Sequence, residues 1–186
     1  CSSDLTETAI LLIGLIYLAA AAFNLLIPNT NIIYPKQKTK PLELLNTFKG
    51  YVIILWQDKI GQISLAVTTL FWGAGATLQF IVIEWAAHQL DYRLDQASIL
   101  MGVTAMGTVV GAYLAGKVPL KKALHVLPIG VLMGISVLLM PFVQSTWAVY
   151  SLLIFIGATS GFFVVPMNAL LQHRGHVLLS AGHSIA

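Results

Sequence analysis

The sequence predicts an all-α, polytopic transmembrane helix bundle. Three observations carry that reading. Hydrophobic residues make up 58% of the 186-residue chain and charged residues only 9%, whereas a soluble domain is about a quarter charged. The apolar residues fall in continuous runs long enough to cross a bilayer, not in the short alternating segments of a β-barrel. The few charges collect between the runs. A core of this size cannot bury so much apolar surface, so lipid is the solvent for much of the chain. The formal net charge of +3 is small and gives no support to nucleic-acid binding.

The first run, Thr8–Ile27, follows Asp4 and Glu7 and is about one crossing long. Asn24 is its one strongly polar member, and Pro28-Asn29 end it. Cys1 is the only cysteine, so no disulfide can form within the chain; Cys1-Ser-Ser reads either as the lipidated start of a lipoprotein or as the point where the segment begins. No Met or basic leader precedes the run, and the chain stops in the small, apolar Ile185-Ala186, so the expectation is a segment of a longer protein.

Residues 28–59 form a linker with Lys36, Lys38, Lys40, Lys49 and Lys59 against Glu43 and Asp58. Pro35 and Pro41 break any helix at its start. From Leu42 a helical period appears through Leu45, Phe48, Val52, Leu55 and Trp56. It fits an interfacial helix with Trp56 at headgroup level, and equally a linker helix packed on the bundle.

The second span, about Ile60–Ile83, contains the most informative stretch, Leu70–Trp85. Polar groups in hydrocarbon are costly unless they face protein or a water-filled cavity. Thr68, Trp72, Gly75 and Gln79 share one face by i, i+3 and i, i+4 spacing, with Thr69 and Thr77 nearby. That face is a candidate lining for a pore or substrate path. Gly73 and Gly75 allow close approach or bending. Glu84, the only carboxylate at span depth, is a candidate ion or proton site or a residue of the outer interface.

Asp91, Arg93 and Asp95 mark a short loop. The third span, about Ser98–Gly116, carries the small-residue row Gly107, Gly111 and Ala115, a helix-packing seam. Lys117, Lys121 and Lys122 form a compact basic loop. The fourth span, about Leu124–Val143, holds Pro128 and Pro141, with His125 at its start. Gln144–Thr146 is a turn, and Trp147 anchors the fifth span, about Ala148–Pro166, with Gly157 and Gly161 as a second packing pair. A polar turn at Gln172–His176 carries Arg174, and Val177–Ala186 reads as the start of a sixth span.

The lysine loops fall on one side of this alternation and the acidic segments on the other. The positive-inside rule then places the N-terminus outside and residues 28–59, 117–123 and 169–177 in the cytoplasm. No P-loop, dinucleotide motif or metal-ligand spacing is present, and no cofactor is expected. His173, His176 and His183 read as a solvated cluster. GATSG at Gly157–Gly161 misplaces its serine relative to a nucleophile elbow. Ser160 and His183 are the only pair that would tempt an enzyme reading, an intramembrane hydrolase or acyltransferase.

LFWGAGATLQF at Leu70–Phe80 and GFFVVPMNALLQHRG at Gly161–Gly175, followed by SAGHSIA at Ser180–Ala186, closely resemble the bacterial lysophospholipid transporters of the major facilitator superfamily. The resemblance covers most of the chain from the second span onward. It implies a partial major-facilitator fold: residues 1–27 as the last span of an N-terminal half, 28–59 as the cytoplasmic connection between halves, and 60–186 as an incomplete C-terminal half. It further implies inward transport of lysophospholipids, of the lysophosphatidylethanolamine class, across the bacterial inner membrane, and a functionally linked cytoplasmic acyltransferase that re-acylates them. The seventh and tenth spans line the cavity in that superfamily, so Thr68, Thr69, Trp72, Gln79, Phe162 and Asn168 become substrate-binding candidates, with Phe71, Phe80 and Phe163 as apolar wall. Leu114-Ala115-Gly116-Lys117 with Lys121-Lys122 resembles the superfamily's charged gating loop, although Gly116 stands where its acidic residue belongs. A carrier of the same fold for another solute is the alternative, and a non-catalytic anchor would have no use for the polar face.

Overall fold

The computed structural model describes residues 2–26 and 41–179. They are almost wholly helical, and five of their segments are long and apolar enough to cross a membrane: Glu7–Leu25, Lys59–Leu90, Leu94–Ala115, Leu120–Phe142 and Thr146–Leu178. The chain is a multi-pass membrane protein.

It divides into two units, Cys1–Thr39 and Lys40–Ala186. In the first, helix α1 (Ser2–Leu25) exposes every side chain from Glu7 to Leu26. A helix that is apolar all round satisfies its backbone internally and leaves its side chains to lipid.

The second unit holds the bundle. Helix α2 (Pro41–Gln57) is 17 residues long. Its predicted stripe is only partly used: Leu55 is buried, while Leu42, Leu45, Phe48 and Trp56 are exposed. Asp58, in extended conformation, separates α2 from α3 (Lys59–Leu90), and its carboxylate accepts a hydrogen bond from the Gly61 N–H at 2.7 Å. At 32 residues, α3 is about 48 Å long at 1.5 Å per residue. Asp91 reverses the chain in left-handed backbone geometry (φ 54°), which Asp tolerates better than most residues. Helix α4 (Leu94–Ala115) follows, opened by Gln96, whose side-chain oxygen accepts from the Arg93 N–H at 3.0 Å. A 3-10 helix (Leu120–Val126) leads into α5 (Leu127–Leu138), and a 3-10 turn at Met140–Phe142 closes that crossing.

Helix α6 runs unbroken from Thr146 to Leu178. This corrects the sequence-based boundaries. Pro166 lies inside the helix instead of ending a span, and Gln172–His176 forms its last turns instead of a polar loop. Proline costs one intrahelical bond, which a membrane bundle absorbs where neighbours surround it; Pro166 is buried. Val177 and Leu178 belong to the same helix, Leu179 caps it, and residues 180–186 of the expected sixth span lie outside the described residues.

Two apolar clusters stack along the bundle. One joins Val82, Ala86, Ala97, Leu100, Met140, Val149, Leu153 and Ile156, where α3 ends, α4 begins and α6 begins. The other joins Val126, Phe163 and Met167, with Ile63, Val67, Phe71 and Val118 packed on it. It marks the opposite end, where α3 begins, the basic loop turns and α6 approaches its end.

Helices α4 and α6 form the most extensive pair, through their glycines. A side chain on Gly107 or Gly111 would strike the backbone of Ile154 or Ala158. One on Gly157 or Gly161 would strike the carbonyl of Thr104 or Thr108. Thr104, Thr108 and Thr159 donate their hydroxyls to carbonyls four residues back, at 2.9, 3.0 and 2.8 Å, so no polar group is stranded at the crossing.

Candidate functional site

A cleft of about 610 Å³ opens between α3, α4, α5 and α6. Its α3 wall is Phe71, Gly75, Leu78, Gln79 and Val82, at i, i+3 and i+4 steps, flanked by Ala74, Thr77 and Ile81. Opposite stand Met101 and Thr104 of α4, Met133, Gly134 and Val137 of α5, Met140, and Leu153, Ile156 and Ser160 of α6. The wall is predominantly aliphatic and aromatic, with a few polar groups set into it. That is the composition of a site for a largely apolar guest with a polar end.

The polar groups differ in availability. Thr77 donates its hydroxyl to the Gly73 carbonyl at 3.1 Å, and Thr104 is satisfied likewise within α4. The Gln79 carboxamide has no hydrogen-bond partner among the described residues. The Ser160 hydroxyl in the α6 wall is likewise without a partner among the described residues, but the Gln79 amide offers two donors and an acceptor where the hydroxyl offers one donor.

The residues singled out by sequence separate here. Gln79, Gly75, Phe71 and Ser160 line the cleft. Thr68 is buried one turn below it, and its hydroxyl lacks a partner. Thr69 is exposed. Trp72 is 61% exposed, its ring edge-on to Phe71 at 5.6 Å, and it is not part of the wall. At 100° per residue the cleft centres on the Phe71–Leu78–Val82 line, about a quarter turn from the line through Thr68, Trp72 and Gln79. The neighbouring helices present apolar surfaces, so the apolar side of α3 packs toward them.

Phe162 is half-buried and packs on the second cluster, and Phe163 is buried in it, its ring 6.0 Å from that of Phe71. Phe80 is exposed and Asn168 half-buried. Gly73 has open space around it, as does Gly75. Glu84 pairs with His88 one turn on, at 2.7 Å, both largely exposed. His183 lies outside the described residues. Among the described residues no three His, Cys, Asp or Glu side chains gather.

Sequence reasoning missed two features. The first is the methionine lining: three of the five methionines in the chain, Met101, Met133 and Met140, meet at the cleft. The signal was faint: Met101 lies in one crossing and Met133 and Met140 in the next, and a flexible thioether fits irregular or variable surfaces. The second is an ion pair between Asp58 and Arg174, from the start of α3 to the end of α6. Arg174 Nε donates to Asp58 Oδ2 at 2.8 Å and Nη2 to Oδ1, a two-pronged contact. The Arg174 guanidinium, with the Gly61 N–H, holds the Asp58 carboxyl below its ordinary range.

The chain is similar in sequence to curated bacterial transporters. The chain is 40% identical over 173 residues to the lysophospholipid transporter LplT of Pectobacterium carotovorum, matching 91% of this chain and 42% of the relative. It is 36% identical over 181 residues to LplT of Serratia proteamaculans (96% of this chain, 45% of the relative), and 40% identical over 176 residues to LplT of Yersinia enterocolitica (93% and 43%). The chain is a homologue of bacterial lysophospholipid transporters. It spans a little over two-fifths of the length of these transporters. No family model matches it, and no solved structure does. Identity of this extent covers the cleft-forming helices, so the cleft belongs to the part shared with the LplT relatives.

Proposed function

We propose that the chain is the central part of a major-facilitator carrier that moves lysophospholipids inward across the bacterial inner membrane by alternating access. The observation that carries this reading is the unpaired Gln79 amide set in an apolar, methionine-rich cleft within a chain homologous to lysophospholipid transporters. A lysolipid has one acyl chain and one polar head. The acyl chain suits the Met101, Met133, Met140 and Ile156 wall, and Gln79 supplies hydrogen bonds to the head. Residues 1–27 are then the last span of the N-terminal half, 28–59 the link between halves, and 60–186 part of the C-terminal half. The lysine-bearing end faces the cytoplasm, where an acyltransferase would take up the product. Trp72, Thr69 and Asn168 are candidates for contact with substrate where the two halves meet; Thr68 and Phe162 support them from behind. Glu84, with His88, is the candidate for ion or proton coupling. The guest is moved, not chemically changed, so lipid recovered after uptake should have the mass of lipid supplied.

Labelled-lysolipid uptake by the intact carrier tests this. Gln79→Ala should lower uptake about tenfold, the loss of roughly one good hydrogen bond to a charged head, with membrane abundance unchanged. Gly134 lines the cleft with nothing within 4 Å of an added Cβ. Gly134→Leu should therefore fold normally and yet block uptake by occupying the acyl space. Wild-type uptake in both variants removes the cleft from the pathway, and uptake of a sugar or drug in place of lysolipid replaces the substrate class.

A further inference from the structure

The loop between α4 and α5 carries a second surface, unrelated to the cleft. In a 3-10 helix residues three apart are eclipsed. Along Leu120–Val126 this gathers Leu120, Ala123 and Val126 inward, the last two buried, and leaves Lys121, Lys122 and His125 exposed. Lys117 adds to the same turn: its ammonium lies 5.3 Å from the ring centre of Tyr113, itself 71% exposed. Tyrosine beside lysine at the end of a spanning helix is a pairing suited to headgroup depth.

Among the described residues these cations meet no counter-charge. From residue 96 onward the sequence contains no Asp or Glu. At this end of the bundle Asp58 is already engaged by Arg174. Among the described residues none of Lys117, Lys121 and Lys122 has an ion-pair partner. Gly116, which closes α4, brings no carboxylate to offset them.

We propose that Lys117, Lys121, Lys122 and Tyr113 form a docking surface for anionic phospholipid of the surrounding bilayer. The lysines would meet a lipid phosphate at the rim while the Tyr113 ring and the exposed Leu114 lie along the top of the acyl chains. The argument rests on charge complementarity. A compact, uncompensated cationic rim at the end of two spanning segments adjoins the plane in which anionic headgroups sit. Each such lysine contributes about 1 kcal/mol toward an anionic leaflet, equivalent to roughly fivefold in affinity. A soluble anion would gain the charge term but not the apolar one. This surface does not depend on the transport reading.

The full chain, reconstituted in mixed phosphatidylglycerol and phosphatidylcholine nanodiscs and released for native mass spectrometry, should retain phosphatidylglycerol in preference. The Lys117→Gln, Lys121→Gln, Lys122→Gln triple variant should lose that preference by about fivefold per lysine, and the matching triple arginine variant should keep it. Arg93→Gln, at the opposite end, should change nothing. Raised ionic strength should weaken the preference, whereas millimolar inorganic phosphate at constant ionic strength should not displace the lipid. Equal retention of the two lipids by the unaltered chain overturns the proposal whatever the variants do. So does displacement by free phosphate, or a folded glutamine variant with undiminished preference.

Discussion

Replacing Gly111 or Gly157 by leucine will abolish the folded bundle. At Gly111 an added Cβ meets the carbonyl and Cα of Ala158, and at Gly157 it meets the carbonyl of Thr104. Both obstacles are backbone, so no rotamer change relieves the overlap. The helices must separate, and the dispersion contacts that hold membrane helices together fall off steeply with distance. Overpacking a well-filled site costs about 1–3 kcal/mol and more where nothing can move. For leucine at either crossing point the expected loss is about 3 kcal/mol or more, read as a collapse of the denaturation midpoint in detergent and a shift from monodisperse to aggregated elution.

A matched control gives the sign. Glycine inside a helix is about 1 kcal/mol less favourable than alanine. Gly73, in α3, has nothing within 4 Å of an added Cβ, so Gly73→Ala should leave stability unchanged or raise it slightly. Alanine at Gly111 should lower it. Equal tolerance at the two positions would mean that the α4–α6 crossing is not set by its glycines.

Which features were legible in the sequence follows from which residues are anomalous. Apolar runs interrupted by charge announce themselves, so the crossings are visible. Gln79 is visible because an amide in hydrocarbon is unusual. Met101, Met133 and Met140 are not, because one apolar residue in a span looks like another until the helices meet. Boundaries failed where a residue has two meanings. Pro166 reads as a helix end in water, yet it is buried inside α6. Gln172, His173 and Arg174 read as a loop, yet an emerging helix carries the same residues at its rim. The partners Asp58 and Arg174 are 116 positions apart, and only the topology of an even number of crossings puts them at one end.

That pair supports the second large effect. Asp58 does two jobs with one carboxylate: it caps α3 through the Gly61 N–H and it grips Arg174 of α6. The two side chains retain 20% and 24% exposure, so solvent softens the interaction without erasing it. Asp58→Ala removes a cap worth about 1 kcal/mol and leaves a part-buried guanidinium without its anion; the expected loss is about 2–3 kcal/mol. Asp58→Asn keeps a capping oxygen and should lose less. Arg174→Gln with Asp58→Asn closes a double-mutant cycle, whose coupling energy should favour the native pair by about 1 kcal/mol or more. The pH dependence has a fixed sign. Because the Asp58 carboxyl is held below its ordinary range, chiefly by Arg174, its contribution is complete above about pH 5 and is lost as the pH falls through the ordinary and then the lowered value. Stability of the unaltered chain should therefore decline below about pH 4 more steeply than that of Asp58→Asn. Parallel pH profiles for the two, or a coupling energy near zero, would show that α3 and α6 are held at this end by apolar packing alone.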